Sequence, residues 1–462
     1  MSSKLGDKLN YNSIKSSAME TKQITQAIPP RSGVTFSPGQ VIEFEVPGNR
    51  PNEFLDVVNN LRVKVPLTIA DAEATLDRAG AYSIVNKWEF IQNGVVLCSV
   101  PRANVLLSAL CDFQMSAEYK STTGALLEGM CGDSLRGEIL PIGTHTFFLS
   151  CLATDLAMTT PHRSLYLGSS GPITLRITLE SSAVALFGVG VTTPTYSITR
   201  PELLMSSTYL FKDTMDALNK QVGGNYRMLA NSYDHMSAVV VAGTTNAHIK
   251  LSFAKASLER VLFTMRPSAH AVDKNKFSLG SRGSGTIQTF QLEVAGVDYP
   301  QVPVKADDQG SDFMYHLLGA DNIASNYSQG MSGLMNAYTA NASNLQPGTS
   351  ALGSQPQIIK ANPFVLPGAA AGGGEYGKAP DGTATCTASD IGTFVGAINL
   401  ESNLVTSQNS PIYSGVNTQR GVDVYFKATF TSVPVDMVID FYSLSTELIY
   451  LDSDTNMWSK SN

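Results

Sequence analysis

SIVNKWEFIQNGVVLCSVPRANVLLSALCDF, residues 83–113, is the most informative stretch of this chain. Two apolar β segments flank Asn93-Gly94, a pair that accepts the positive φ angles of a tight hairpin turn. After Pro101 the period changes. Val105, Leu106, Ala109, Leu110 and Phe113 fall at helical spacing, which predicts a short helix over 103–113. A hairpin feeding a connecting helix is the unit around which the rest can be read.

Upstream, VIEFEVP (41–47) and LRVKVPL (61–67) alternate apolar and charged residues with the period of a half-buried strand. Downstream, HTFFLSCLA (145–153) and GPITLRITLE (171–180) do the same. TYSITRPELLMSSTYLF (195–211) reads as one further strand, bent or at an edge because of Pro201. DTMDALNKQVGG (213–224) then predicts a helix with Asp213 as N-cap and the glycine pair as its stop.

The β pattern restarts beyond that helix. AHIKLSFA (247–254) and LERVLFTMRP (258–267) read as a strand pair, and TIQTFQLEVAGVDYP (286–300) as one more strand. GSDFMYHLLGA (310–320) predicts a short helix. Residues 340–392, rich in Gly, Ala, Ser, Thr and Pro, predict a long surface loop. FVGAINLES, GVDVYFKATFTS and VDMVIDFYSLSTELIYLD close the chain, the last fit for a central strand.

Recurring short strands in two groups make this an all-β protein. The simplest architecture is two eight-stranded jelly-roll sandwiches in tandem with short helices in the connections. The expected organisation is an N-terminal arm (1–31), a first jelly roll (32–212), a linker helix (213–224) and a second jelly roll (225–462). A chain of 462 residues is also too long for one ordinary core.

Composition narrows the function classes. Charged residues are 15% of the chain, against about a quarter in an average soluble protein. That suits a surface largely covered by neighbours and equally a secreted β protein, so composition alone does not choose. A net charge of −7 argues against a domain that grips nucleic acid. The arm is basic, with Lys4, Lys8, Lys15, Lys22 and Arg31 against Asp7 and Glu20, and either stays disordered or orders against a partner. No apolar run approaches membrane-span length, the N-terminus lacks a secretory signal pattern, and Ser2 stands where myristoylation needs glycine.

No chemistry-bearing motif emerges. The five cysteines (Cys98, Cys111, Cys131, Cys151, Cys386) show no metal spacing and read as buried free thiols. His145, His162, His235, His248, His270 and His316 are dispersed, without HExxH. GSRGSG (280–285) lacks the Lys-Ser/Thr ending of a phosphate cradle and reads as a loop. Asp71 with Glu73, and Asp307 with Asp308, read as solvated loop charge rather than an acid/base pair. Asp452 and Asp454 lack a complete calcium-loop pattern. Asn326 and Asn341 begin glycosylation sequons that matter only in a secretory pathway. No catalytic, cofactor-binding or metal-ligating residue is therefore assigned, and no cofactor is expected.

The order of these elements resembles the double-jelly-roll major capsid proteins of the adenovirus–tectivirus lineage, close to those of polinton-like viruses and virophages. WEFIQNGVVLCSVPRANVLLSAL (88–110) is similar to that family's strand, turn, strand and helix. GDSLRGEILPIGTHTFFLSCL, GPITLRITLESSAVALF and TYSITRPELLMSSTYL resemble the last strands of its first jelly roll. HIKLSFAKASLERVLFTMRPS (248–268) and FQLEVAGVDYPQVPV (290–304) resemble segments of the second. Together they cover about a third of the chain.

The resemblance implies a non-enzymatic major capsid protein in the virion, made and assembled inside the host cell. It implies a homotrimer with a pseudo-hexameric outline that tiles an icosahedral shell. Implied partners are the chain itself, neighbouring capsomers, penton and minor capsid proteins, and an internal membrane or inner protein met by residues 1–31. No specific nucleic-acid binding is implied. Two alternatives stand beside it. One is a carbohydrate-binding or carbohydrate-active β-sandwich protein, which would cluster exposed aromatics, although Trp88 and Trp458 lie far apart in sequence. The other is a minor capsid or spike protein, which would differ in copy number.

Overall fold

The computed structural model describes residues 21–460 except 72–73, 78, 115–118, 120–122, 131–142, 151–163, 189–193, 272–277, 284–285, 306–310, 321–374, 379–383, 388–391, 402–414, 420 and 453. Antiparallel sheets dominate. Nine principal strands belong to the first half of the described chain: β1 (Thr21–Ile28), β2 (Val41–Val46), β3 (Leu61–Ile69), β4 (Val85–Gln92), β5 (Val95–Val100), β6 (Gly143–Ser150), β7 (Ile173–Leu179), β8 (Tyr196–Thr199) and β9 (Glu202–Leu210). Helix α1 (Ala103–Gln114) follows β5, and α2 (Lys212–Val222) follows β9.

One eight-stranded sheet runs Leu165–Tyr166, Glu53–Leu55, β9, β3, β8 and Thr35–Phe36, with β1 added on β9 and β6 on β3. A four-stranded sheet, β2-β7-β4-β5, faces it. Alternation drives the packing. In β3, Leu61, Val63, Val65, Leu67 and Ile69 are buried while the residues between are not. In β7, Ile173, Leu175, Ile177 and Leu179 point inward from the other sheet. Two inner faces of this kind share one core, as in any sandwich.

The second half repeats the design with β10 (Arg227–Val240), β11 (Asn246–Leu251), β12 (Leu258–Pro267), β13 (Ile287–Val294), β14 (Val297–Lys305), β15 (Gly396–Asn399), β16 (Val424–Phe430), β17 (Met437–Leu451) and β18 (Trp458–Lys460). Helix α3 (Ser311–Ala320) follows β14. One sheet is β10-β17-β12-β15 with β18 added on β17; the other is β11-β16-β13-β14. Phe263 is the hub of the second core. Its ring lies 4.8 Å from Phe426, 5.0 Å from Phe290, 5.8 Å from Phe394 and 6.2 Å from Phe441.

Several local expectations change. The 195–211 segment is two strands, because Arg200 turns to φ 52° just before Pro201. Both pieces pair with β3, and β9 is flanked on both sides rather than lying at an edge. The 247–254 and 258–267 segments do not pair with each other: β11 joins β16 and β12 joins β17, in opposite sheets. The 286–300 segment is a hairpin, β13–β14, turning at Ala295 (φ 53°) and Gly296 (φ 80°). Helix α2 is capped two residues earlier than expected: Phe211 is the cap position, and Asp213 sits in the first turn where its charge favours the helix dipole.

Strand β1 falls inside the stretch read as an arm and runs antiparallel along β9, from Thr21 beside Leu210 to Ile28 beside Leu203. Of residues 340–392, the described part includes an antiparallel pair, Glu375–Lys378 with Ala384–Thr387. The sequons at Asn326 and Asn341 lie outside the described residues. No helix among the described residues is long and apolar enough to cross a membrane.

Candidate functional site

The two sandwiches meet along an internal interface built from β17 and α1. Side chains of β17 alternate. Ile439 and Phe441 enter the second core, while Asp440 and Tyr442 point toward the first sandwich. The Tyr442 hydroxyl donates to the carbonyl of Arg102 at 3.0 Å, at the start of α1. Helix α1 is buried all round, with Val105, Leu106, Leu107, Ala109 and Leu110 each under 5% exposed. A helix apolar on every side is one packed on every side.

Charge lines this seam. Asp440 is fully buried; its Oδ1 lies 2.8 Å from His235 Nε2 on the neighbouring strand β10. Its Oδ2 lies 3.3 Å from Arg266 Nη2 on β12, close enough for charge attraction but outside hydrogen-bond geometry. Arg266 Nη1 donates to the Ser278 carbonyl and hydroxyl at 3.1 and 3.2 Å. Burial alone would raise the Asp440 carboxyl, but the His235 hydrogen bond and the Arg266 and Arg102 charges hold it below the usual value.

Two further ties cross between the halves. Arg282, 1% exposed, donates from Nη1 to Ser108 Oγ on α1 at 2.6 Å and to the Leu279 carbonyl at 3.1 Å. The Leu279 amide in turn donates to Asp77 Oδ2 at 2.9 Å. Elsewhere along the seam, Trp458 donates its amide to Gln92 Oε1 at 2.8 Å and its ring nitrogen to the Tyr166 carbonyl at 3.2 Å. Arg282 and Asp77 are buried charges that each make a hydrogen bond to the opposite half, so a slip between the two bodies would cost each of them that bond in a dry interior.

The outer surface offers edges, faces and a cleft. Val239, Val241 and Val435 are exposed together where β10 ends and β17 begins; Val302 stands out on edge strand β14. A cleft of about 630 Å³ is lined by Lys255, Ser257, Gln419, Thr446, Glu447 and Lys460 among others. Its charges are already matched: Lys255 meets Asp234 at 3.1 Å and Glu447 at 3.3 Å, and Lys460 also pairs with Glu447.

The residues weighed in the sequence take ordinary places. The His248 ring lies 4.5 Å from that of Tyr425 in a tilted contact, His316 lies 3.7 Å from Asp312, and His145 lies beside Phe147. Asp452 accepts from Thr455 Oγ1 at 2.7 Å and from the Asp454 amide, a local turn that lowers its carboxyl. Cys98 and Cys111 are free and buried. Glu73, His162, Asp307 and Asp308 lie outside the described residues. Among the described residues there is no cluster of three or more metal-capable side chains. Trp88 and Trp458 are both buried, so neither offers the exposed ring a sugar site would use.

Sequence reasoning missed the seam. Arg282 sits in the GSRGSG stretch read as a loop, and Asp440 in an apolar run read as a central strand. The available signal was Asp440 set between the apolar runs Met437–Ile439 and Phe441–Tyr442, a carboxylate that must find a buried partner.

No family model matches the sequence, and no curated protein does. Solved structures do match. The Faustovirus major capsid protein superposes with a TM-score of 0.59 at 11% identity, over 95% of this chain and 92% of that one. The PBCV-1 virus capsid subunit gives 0.58 at 8% identity, over 98% and 99%. The mavirus major capsid protein gives 0.53 at 10% identity, over 98% and 93%. Identities this low speak to fold alone. Two sandwiches in tandem, tied to each other by buried hydrogen bonds and matched end to end by these structures, make this chain a double-jelly-roll protein.

Proposed function

We propose that this chain is the major capsid protein of an icosahedral virus, acting as a structural subunit rather than an enzyme. The observation that carries the reading is the two-way coverage. The fold spans nearly all of this chain and nearly all of several viral major capsid proteins.

In this reading three chains close a ring around a threefold axis, the side of one jelly roll meeting the other jelly roll of the next chain. The rigid seam suits that role. Each chain presents two sandwich bodies at a fixed mutual angle, so three chains give six bodies and a pseudo-hexagonal outline. Obligate contacts of this sort commonly bury more than about 2,000 Å². Smaller contacts then join capsomers to each other and to penton and minor capsid proteins. Residues 1–20 serve as an arm toward a neighbour, an inner protein or an internal membrane, and residues 340–392 as an outward surface loop.

Copy number in purified particles tests the assignment. A shell protein is the most abundant polypeptide in the particle, in hundreds of copies or more. A ratio of a few copies per particle would make the chain a minor capsid or spike protein, and its absence from particles would overturn the reading.

A further inference from the structure

We infer that residues 454–458, the turn leading into β18, are a clasp between the two sandwiches. They close onto the first sandwich beside the interdomain linker, and their release loosens the linker before either sandwich unfolds. The device belongs to the single chain and operates whether or not that chain builds a shell.

The linker needs such a partner. Helix α2 stops at Gly223 and Gly224, at φ 63° and 76°, and two successive glycines leave the backbone its widest choice of angles. Just beyond them, the Tyr226 carbonyl accepts from the Leu451 amide at 2.9 Å, and Arg227 stands opposite Tyr450. The chain entering the second sandwich is thus bound to β17, the strand that runs into the clasp. The Tyr226 ring also stacks on Tyr166 of the first sandwich, with centroids 4.4 Å apart. The carbonyl of that same Tyr166 accepts from the Trp458 ring nitrogen. Linker and clasp share one anchor.

Two pieces of the first sandwich receive the clasp. Asn456, at φ 51°, accepts from the Ser170 amide through its own carbonyl at 2.6 Å. Its side-chain amide donates to the Gly168 carbonyl at 3.2 Å and to Ser170 Oγ at 3.3 Å. Gln92, at the end of β4 and 1% exposed, is the keeper. Its Oε1 accepts from the Trp458 amide at 2.8 Å, while its Nε2 lies 3.2 Å from Ser169 Oγ and from the Ser170 and Gly171 carbonyls. One buried amide thus joins the β4–β5 hairpin, the 168–171 loop and β18. Exposure grades these contacts. The Asn456 side-chain bonds are open to water, whereas Trp458 and Gln92 are dry, as are Arg282 and Asp77 farther along the seam. Exposed hydrogen bonds are the ones that local fluctuations break first, so the seam opens from this end.

Limited trypsin digestion of the full chain reads the release, because Lys220 and Arg227 flank the glycine pair. N456G keeps the positive φ and removes only the exposed side-chain bonds; Q92L removes the buried keeper. Well below their melting points, N456G should be nicked at Lys220 or Arg227 about threefold faster than the native chain, and Q92L at least about tenfold faster. The pair S170C/N456C replaces side chains that already meet at 3.3 Å. Its disulfide should slow nicking below the native rate, and reduction should reverse that. Hydrogen exchange of β3 and β12 in the same variants separates local release from global unfolding. Nicking of both variants at the native rate would overturn the clasp. So would faster nicking matched by an equal loss of protection in β3 and β12. Should Q92L fail to fold, N456G and the disulfide pair decide the matter alone.

Discussion

Replacing Asp440 with alanine should cost more stability than its single side chain suggests. The substitution strands Arg266, 1% exposed, with its guanidinium still tied to Ser278 but without a counter-charge, and removes the acceptor from His235. Breaking one side of a buried ion pair costs about 3–5 kcal/mol. The unfolding entropy is about 1.0 kcal/mol/K if the whole chain melts together and about 0.5 if residues 227–462 melt alone. The melting temperature should fall by about 3–5 °C in the first case and about 6–10 °C in the second. Differential scanning calorimetry reads both the shift and the number of transitions. The double variant R266M/D440L, which removes both charges and keeps the volume, should recover most of the loss. A shift under about 1 °C for D440A, or a double variant as unstable as the sum of its parts, would refute the argument that paired charge stabilises this buried face of the second sandwich.

The depressed carboxyl of Asp440 adds a pH signature. Its contribution is present above the ordinary carboxylate pKa of about 3.9 and is lost as pH falls through the lower folded value, so D440N should flatten the acid limb of the native melting profile. F263A should cost about 3–5 kcal/mol in urea titration, because four phenylalanine rings lose their common neighbour. G396A should sharply reduce soluble yield, since a methyl there would sit inside the Phe263 ring, whereas G94A meets no neighbour and should suffer only its positive φ. Cys98, whose thiol burial pushes up to about 12, should resist iodoacetamide at pH 8 until the chain unfolds, and rapid native labelling would contradict its burial.

The strands were legible where one face meets the core and the other meets solvent. LRVKVPL and GPITLRITLE alternate cleanly because β3 and β7 are half-buried, and their burial follows the letters residue by residue. Asn93-Gly94 announced its hairpin because both residues tolerate positive φ, and both adopt it, at 46° and 81°. Ala295-Gly296 makes a similar turn but hid it, because alanine rarely adopts positive φ. Pairing partners were less legible. Alternation shows which face of β11 and β12 is buried but not that the two strands belong to opposite sheets.

The seam was the least legible part. A charged residue in a strand reads as solvent-facing, and Arg266 and Asp440 do lie on faces turned away from their own sandwich core. Those faces are buried because a second body covers them, and no local pattern records that. Where the assembly surfaces lie was not readable, since sheet edges are defined by neighbours in space.

The most direct measurement of the central claim is the solution mass of the purified full-length chain, taken with negative-stain images of the same peak. The account predicts particles of about 148 kDa, three times the 49.4 kDa chain, with a hexagonal outline. A stable 49.4 kDa monomer, compact and without that outline at concentrations where shell subunits associate, would contradict it.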